Sequence, residues 1–319
     1  LASYCRQIGV RAAQAHLQPY VRFPWQTAAA VEIVTNKAAT YSEAKLLGVP
    51  VIATYLFANE GEIGKRASEF AWPMVVKPRR SVSVGAETLE FGTAQFVHSL
   101  TELQHVFSAL KQRTGEPPLV QPYVRGEEYG VEVVSEAGEV VAGLVHHRLR
   151  SLSPTGGASV LKETVVEGRL YDNLITDAIT LVAALDWTGP LMVEFKVDAD
   201  TARPYVMELN GRWWGSLPLA VRAGLNLPYD HYQVMTGTSE QGTVPNWNRR
   251  EVTTSYFLGE VRHLGAVLFA RSAMRTRSYP SRRKAIRDFF HTCRRVPMDV
   301  WHWRDPLPSW WQYIDALNR

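Results

Sequence analysis

The stretch Leu191–Gly215, LMVEFKVDADTARPYVMELNGRWWG, constrains the fold more than any other part of the chain. It reads as two strands joined by a short polar loop. In the first, Leu191, Val193, Phe195 and Val197 fall on one face and Met192, Glu194, Lys196 and Asp198 on the other, the period-2 pattern of a half-buried strand. In the second, Tyr205, Met207 and Leu209 share a face opposite Val206, Glu208 and Asn210. Antiparallel pairing about Thr201 sets Glu194 across from Glu208, about 5 Å away, with Asn210 about 7 Å further along the same face. Arg212 lies just beyond.

Two carboxylates and an amide oxygen at that spacing suit a hard divalent cation. Magnesium takes one or two carboxylates, keeps several waters and completes its octahedron with phosphate oxygens. The same alternation also fits a merely solvated sheet face, and Asn210-Gly211 is a frequent hairpin-turn pair. These residues alone leave both readings open.

The chain of 319 residues is 46% hydrophobic, enough for a sizeable core or two lobes. Its net charge of +4 is unevenly spread, since residues 261–300 hold ten Lys or Arg and two acidic residues. Two distant cysteines, Cys5 and Cys293, make neither a disulfide framework nor a zinc site, so a reducing cytoplasm is the expected setting. No apolar run approaches the ~20 residues of a membrane-spanning helix, and no secretory signal is read. The chain opens on Leu1 inside a helical pattern, so an upstream portion is expected.

A helix is predicted from Thr35-Asn36 through Leu47, closed by Gly48. Lys37 sits in its first turn, where the helix dipole favours anions, so it is either a plain surface residue or placed to meet a phosphate. Met74–Pro78 reads as a buried strand carrying Lys77, followed by a loop, Arg79–Ala86, with one glycine, Gly85. Strand, lysine and loop are the parts of a phosphate grip. A helix over Leu100–Arg113 and strands over Leu119–Val124, Glu128–Val134 and Val140–His147 follow. Arg148–Ser159, with Pro154-Thr155-Gly156-Gly157, reads as a polar loop long enough to serve as a lid. A helix at Tyr171–Leu185 leads into the opening hairpin. Helices interspersed with hairpins indicate an α+β class. Neither GxGxxG after a strand nor GxxxxGK[ST] is present.

Taken in order, NK before GVPV, VVKP, QPYVRGEEYGVEV, and VEF followed by MELNGR resemble the ATP-grasp superfamily, as found in carboxylate–amine ligases and carbamoyl-phosphate synthetase large chains. The resemblance runs from about Asn36 to Gly237, and the fourteen-residue spacing of Glu194 and Glu208 is its most specific part. It implies two α+β lobes gripping a nucleotide over residues 36–238, with the hinge near 119–128. Residues 1–35 would be the remnant of a preceding domain, and 239–319 a helical extension. It further implies ATP and magnesium, or manganese in its place, as cofactors. Lys37 and Lys77 match the basic positions at the phosphates, with Gly85 alone where relatives often have two or three glycines. Gln121, Pro122 and Tyr123 match the adenine hinge, and Glu128 the acid at the ribose. Glu194, Glu208 and Asn210 match the metal ligands, and Arg212 a basic residue near the transferred phosphoryl group. Thr155, Gly156 and Gly157 match a segment that approaches the nucleotide or substrate. The implied activity is ligation of a small carboxylate to an amine through an acyl phosphate, with release of ADP and phosphate. Carboxyphosphate chemistry and a non-catalytic ATP-binding module are the alternatives.

The basic, Trp-rich end lies outside the resemblance. Basic runs beside aromatics can mark an anionic membrane or nucleic acid. The expectation is instead a helical appendage whose tryptophans cover the core and whose arginines are solvated, with no nucleic-acid partner.

Overall fold

Several helices begin where the sequence supplies a capping side chain. The computed structural model describes residues 13–317, apart from 22, 25, 85–88, 92–93, 155, 240–243 and 271–278. After the single turn α1 (Gln14–Leu17), Thr27 caps α2 (Ala28–Thr35) and Asn36 caps α3 (Lys37–Leu46) by accepting the Ala38 N–H. Gly48, at φ 76°, turns the chain out of α3 in a left-handed conformation.

The smaller lobe follows. It comprises β1 (Tyr55–Leu56), α4 (Glu60–Lys65), β2 (Met74–Lys77), β3 (Val82–Val84), β4 (Leu89–Phe91), β5 (Gln95–Val97), α5 (Leu100–Thr114) and β6 (Leu119–Pro122). Its antiparallel sheet has the order β1-β6-β2-β5, while β3 and β4 form a separate hairpin. Ser99 caps α5, and the helix buries Leu103, Phe107 and Leu110 against Ile63, Met74, Val76, Val97 and Val120. Each of those large side chains contributes about 1.5–3 kcal/mol on burial.

The larger lobe holds β7 (Gly126–Glu136), β8 (Glu139–Ser153), β9 (Gly156–Val165), α6 (Arg169–Ala184), β10 (Gly189–Asp198), β11 (Pro204–Asn210), α7 (Leu217–Ala223) and α8 (Leu227–Thr236). After these come β12 (Asn246–Trp247), β13 (Thr253–Ser255), α9 (Phe257–Leu268), α10 (Arg282–Arg295) and α11 (Leu307–Leu317). The sheet order is β11-β10-β7-β8-β9-β13, with β12 beside β8, and of these strand pairs only β12–β8 is parallel. No helix among the described residues is long and apolar enough to cross a membrane.

Two sequence expectations are corrected here. Arg148–Ser159 is not a loop: β8 runs to Ser153, β9 starts at Gly156, and Arg148 pairs with Lys162. Pro154 marks the turn, Gly156 and Gly157 already belong to β9, and Arg148 and Arg150 are strand residues whose side chains meet Glu128, Glu194 and Glu260. The alternation in β11 is broken as well. Glu208 pairs with Glu194 but Val206 pairs with Phe195, so Met207 is an extra residue, a β-bulge. Val206 therefore points into the core with Leu209, not outward with Glu208.

One face of the large sheet is apolar: Val131, Val133, Val145, Leu191, Val193, Phe195, Val206 and Leu209 pack under α2, α3 and α6. The opposite face is divided. Val134, Ala142, Leu144 and Met192 are covered by Leu219, Ala220, Leu227 and Val234 of α7 and α8. The remainder of that face carries the charges.

Candidate functional site

Strand register builds the site in rows. Glu194 lies across from Glu208 on one side and from Gly130 on the other, as the hairpin pattern predicts for the first pair. One row on, Lys196 faces Glu128, which faces Arg148. Arg148 then contacts Glu128 at 2.5 Å and Glu194 at 3.3 Å, while Lys196 reaches Glu128 at 3.3 Å. Asn210 closes the hairpin end, its Nδ2 donating to Glu194 Oε1 at 3.0 Å and to Glu208 Oε1 at 3.4 Å. Gly211 is not a turn residue: a Cβ there would lie 2.4 Å from the Trp187 ring, so the glycine admits a core tryptophan.

Helix α3 and strand β2 bring the lysines. Lys37 Nζ lies 2.9 Å from Glu208 Oε2 and donates to Ser81 Oγ at 2.8 Å. The Lys37 backbone N–H bonds the Arg79 carbonyl, which ties the segment after β2 to the start of α3. Lys77 is buried, and its Nζ donates to the Tyr41 hydroxyl at 3.2 Å. That hydroxyl in turn donates to the Met207 carbonyl at 2.8 Å, satisfying a backbone acceptor of the bulge.

The crowding of charge moves the ionisations. Burial and then the neighbouring Glu208 push the Glu194 carboxyl up to about 7, against the attraction of Arg148. Burial would raise Glu208 too, but the Lys37 ammonium outweighs it and the carboxyl is held below its ordinary value. Glu128 is lowered likewise, with Arg148 and Lys196 overcoming its burial. Burial and then repulsion from Lys37 bring Lys77 down to about 7. Lys37 itself is raised, because Glu208 offsets the cost of burial.

Beside this cluster lies a second, apolar-walled polar group. A Cβ on Gly130 would come within 2.3 Å of the His146 ring, so the missing side chain lets the imidazole lie over the β7 backbone. His146 Nδ1 is 3.0 Å from Glu132 Oε1, though off the line of a hydrogen bond, and Ser216 donates to the same oxygen.

The other predicted residues are placed as follows. Gln121 and Pro122 are in β6, where the Gln121 amide donates to Thr54 Oγ1 at 2.7 Å. The Tyr123 N–H is taken by the Pro73 carbonyl at 3.0 Å. Gly156 and Gly157 open β9 at φ 129° and 111°, conformations that favour glycine, and Arg148 holds the Gly157 carbonyl at 3.2 Å. Arg212 follows β11, and its guanidinium donates to the Trp213 carbonyl at 3.3 Å. Gly85 and Thr155 lie outside the described residues. Sequence reasoning missed Arg148, Lys196 and Tyr41. Lys196 shares the alternation of Glu194 and could have been found; Arg148 reaches the site only through the β7–β8 register.

The donor set fits a magnesium ion. Glu194 and Glu208 are two facing carboxylates, and burial, with the Glu208 charge adding to it, raises the Glu194 carboxyl to about 7, a cost that a cation between them would relieve. Turning the Asn210 amide about its last torsion presents Oδ1 instead of Nδ2. No group of three or more His, Cys, Asp or Glu suited to a metal occurs among the described residues. Water and phosphate oxygens would supply the remaining ligands, the usual habit of magnesium.

The described geometry has counterparts. Residues 114–255 match the family model described as ATP-grasp in the biosynthetic pathway with Ter operon. Biotin carboxylase from Campylobacter jejuni, solved as a β,γ-ATP complex, superposes with a TM-score of 0.60 at 17% identity, covering 74% of this chain and 52% of that one. That likeness is to the ATP-grasp fold, and residues 114–255 carry the match to an ATP-grasp family model. A relative in sequence is the carbamoyl phosphate synthase large chain of Pyrococcus furiosus, 24% identical over 199 residues, or 62% of this chain and 18% of that one. N5-carboxyaminoimidazole synthase from Aspergillus clavatus, solved with ADP and 5-aminoimidazole ribonucleotide, has a TM-score of 0.60 at 17% identity, over 76% of this chain and 61% of that one. The chain thus spans less than two thirds of the length of each of these relatives. At such identities the structural likeness shows the ATP-grasp fold.

Proposed function

We propose that the chain is an ATP- and magnesium-dependent ligase that joins a carboxylate to an amine. The observation that carries this reading is the facing pair Glu194 and Glu208, bracketed by Lys37 and Arg148 and approached by Lys77. Glu194, Glu208 and Asn210 would hold the metal, which would supply positive charge to neutralise the negative charge developing on the phosphates. Lys37 and Lys77 supply positive charge for the phosphates, and a bound triphosphate favours the ammonium form of Lys77. Glu128, already directed by Arg148 and Lys196, offers a carboxylate to the ribose hydroxyls, and Gln121–Tyr123 the hinge for the base.

A substrate carboxylate oxygen attacks the γ-phosphorus in line, the bond to the β-bridging oxygen breaks, and ADP leaves. The acyl phosphate is then attacked at carbon by an amine; the C–O bond breaks, phosphate departs with the electron pair, and the amine gives up a proton. Arg212 stabilises the anionic oxygens of both steps, a task suited to a planar, always-charged donor. The two lobes must close during the reaction, since acyl phosphates hydrolyse. The carbamoyl phosphate synthase match supports a second reading, in which the carboxylate is bicarbonate and the intermediate carboxyphosphate.

The test is ADP release by the purified chain with ATP and Mg²⁺, across pools of amino acids and small carboxylates and with bicarbonate, beside Glu208→Gln. Substrate-stimulated release that falls at least about a hundredfold in the variant supports ligation and identifies the carboxylate. Binding of ATP–Mg²⁺ with no stimulation by any pool or by bicarbonate would replace it with a non-catalytic ATP-binding module.

A further inference from the structure

The C-terminal helices invert the usual order of burial. On α11, Leu307, Trp310, Trp311 and Ile314 recur at i, i+3, i+4 and i+7, the spacing that normally marks a core-facing stripe. Here the stripe faces solvent: their exposures are 64%, 56%, 68% and 45%. The polar Ser309 of the same helix is buried instead. The expectation that these tryptophans cover the core is therefore overturned for α11, and Trp303 in the connection before it is also exposed.

Helix α10 meets the same residue of α9 as α11 does. It packs through Phe289 on Phe257 of α9, and α11 packs through Tyr313 on the same Phe257, with ring centroids 6.3 and 6.0 Å away. The solvent side of α10 presents Ile286 and Phe290 among Arg282, Arg283, Lys284, Arg287, Arg294 and Arg295, all exposed. Six basic side chains stand against one acid, Asp288, which is engaged by Lys284 at 2.5 Å. Arg304 lies over the Trp303 ring at 4.8 Å, carrying the same mixture into the connection. The connection is anchored, since Arg222 of α7 donates to the Met298 and Trp301 carbonyls.

We propose that α10, α11 and the connection between them form a docking face for an anionic phospholipid surface. An apolar, Trp-rich stripe flanked by cations of one sign is complementary to an acyl layer beneath anionic headgroups. Scattered single apolar residues on a surface need no explanation, but a continuous exposed stripe does. No helix among the described residues spans a bilayer, so contact is interfacial: the α11 stripe enters the headgroup–acyl boundary while the arginines of α10 meet phosphates. The catalytic face, on the central strands, is not part of this surface.

The experiment is flotation of the full chain with vesicles of equal parts phosphatidylglycerol and phosphatidylcholine, against vesicles of phosphatidylcholine alone. The chain floats with the anionic vesicles, its tryptophan emission shifts to the blue, and added salt weakens the binding. Trp310→Ser with Trp311→Ser lowers binding at least about tenfold, by removing the largest inserted side chains. Arg287→Glu with Arg294→Glu lowers it by at least about twentyfold, taking about fivefold per basic residue near the surface. ATP binding, retained in both variants, shows that they are folded. The proposal is overturned by equal binding to both vesicles, by no binding at low salt, or by variants that bind like the wild type. Tighter binding to an RNA oligonucleotide than to the vesicles, or self-association in lipid-free solution abolished by the tryptophan changes, also overturns it.

Discussion

At the centre of the large sheet, charged side chains are partly withdrawn from water, and Glu128, Glu194, Glu208, Lys37, Arg148 and Lys196 each have an ionic partner. On α10 and α11 the opposite holds, with large apolar side chains in water and most cations beside them exposed. Both arrangements cost stability relative to an ordinary protein, which buries apolar groups and solvates charges. The central one is compensated within the chain, by pairing. The peripheral one is compensated only in part, by contacts such as Trp310 with Tyr313 and Arg304 over Trp303. Folding free energy should accordingly respond strongly to changes at the centre and weakly to changes at the periphery.

The contrast is sharpest between two tryptophans. Trp187 is buried, its indole donating to the Pro190 carbonyl at 3.1 Å and its ring lying against Gly211. Trp187→Ala is expected to lower the unfolding free energy by about 4 kcal/mol in urea titrations. A loss under about 1 kcal/mol would mean that the core relaxes around the site. Arg148→Met should come next, at about 3 kcal/mol measured at pH 8, since Glu128 and Glu194 lose their guanidinium. At pH 6 the loss should be smaller, because Glu194 then takes up a proton.

Magnesium binding probes the same pair from the other side. With the Glu194 carboxyl at about 7, a cation must displace a proton below that pH. Apparent Mg²⁺ affinity should therefore fall about tenfold per pH unit below 7, with proton release measurable by calorimetry in buffers of different ionisation enthalpy. The sign for stability without metal is the reverse. An acid with a raised folded pKa contributes stability that is fully present below its unfolded value of 4.5 and is lost as pH rises through about 7. Affinity that does not change with pH would show Glu194 to be ionised throughout. The smallest effect is expected at the periphery: Trp311→Ala should change stability by less than about 0.5 kcal/mol by thermal melting. A larger loss would remove the contrast, because the ring would then be supporting the fold.

The register of the central hairpin was legible because two runs of period 2 meet across a loop of fixed length, which leaves little choice of partner for Glu194. Helix α3 was legible from Asn36 and Gly48, each with a local physical role. The β11 bulge was not, since nothing about Met207 distinguishes it; the extra residue is accommodated by Tyr41, which is distant in sequence. The β8–β9 hairpin was read as a loop because Arg148, Ser151 and Ser153 are polar, and polarity alone cannot separate a strand facing charges from a turn facing water. Arg148 had no local signal at all: its contacts with Glu128 and Glu194 arise only when three strands are in register. The α11 stripe shows the limit of periodicity, which gives the angular position of Leu307, Trp310, Trp311 and Ile314 but not the side of the helix that meets the protein.

The hydrogen bonds around Tyr41 carry a directional consequence. A phenol has one proton, and the Met207 carbonyl can only accept, so that proton is committed to the bulge. Lys77 must then be the donor to Tyr41 in either of its protonation states. The sequence Lys77 to Tyr41 to Met207 is a one-way wire with its fixed end in the strand backbone. An irregularity that interrupts a β-ladder thus sets the orientation of an amine in the other lobe, and leaves its remaining hydrogens free for an anion.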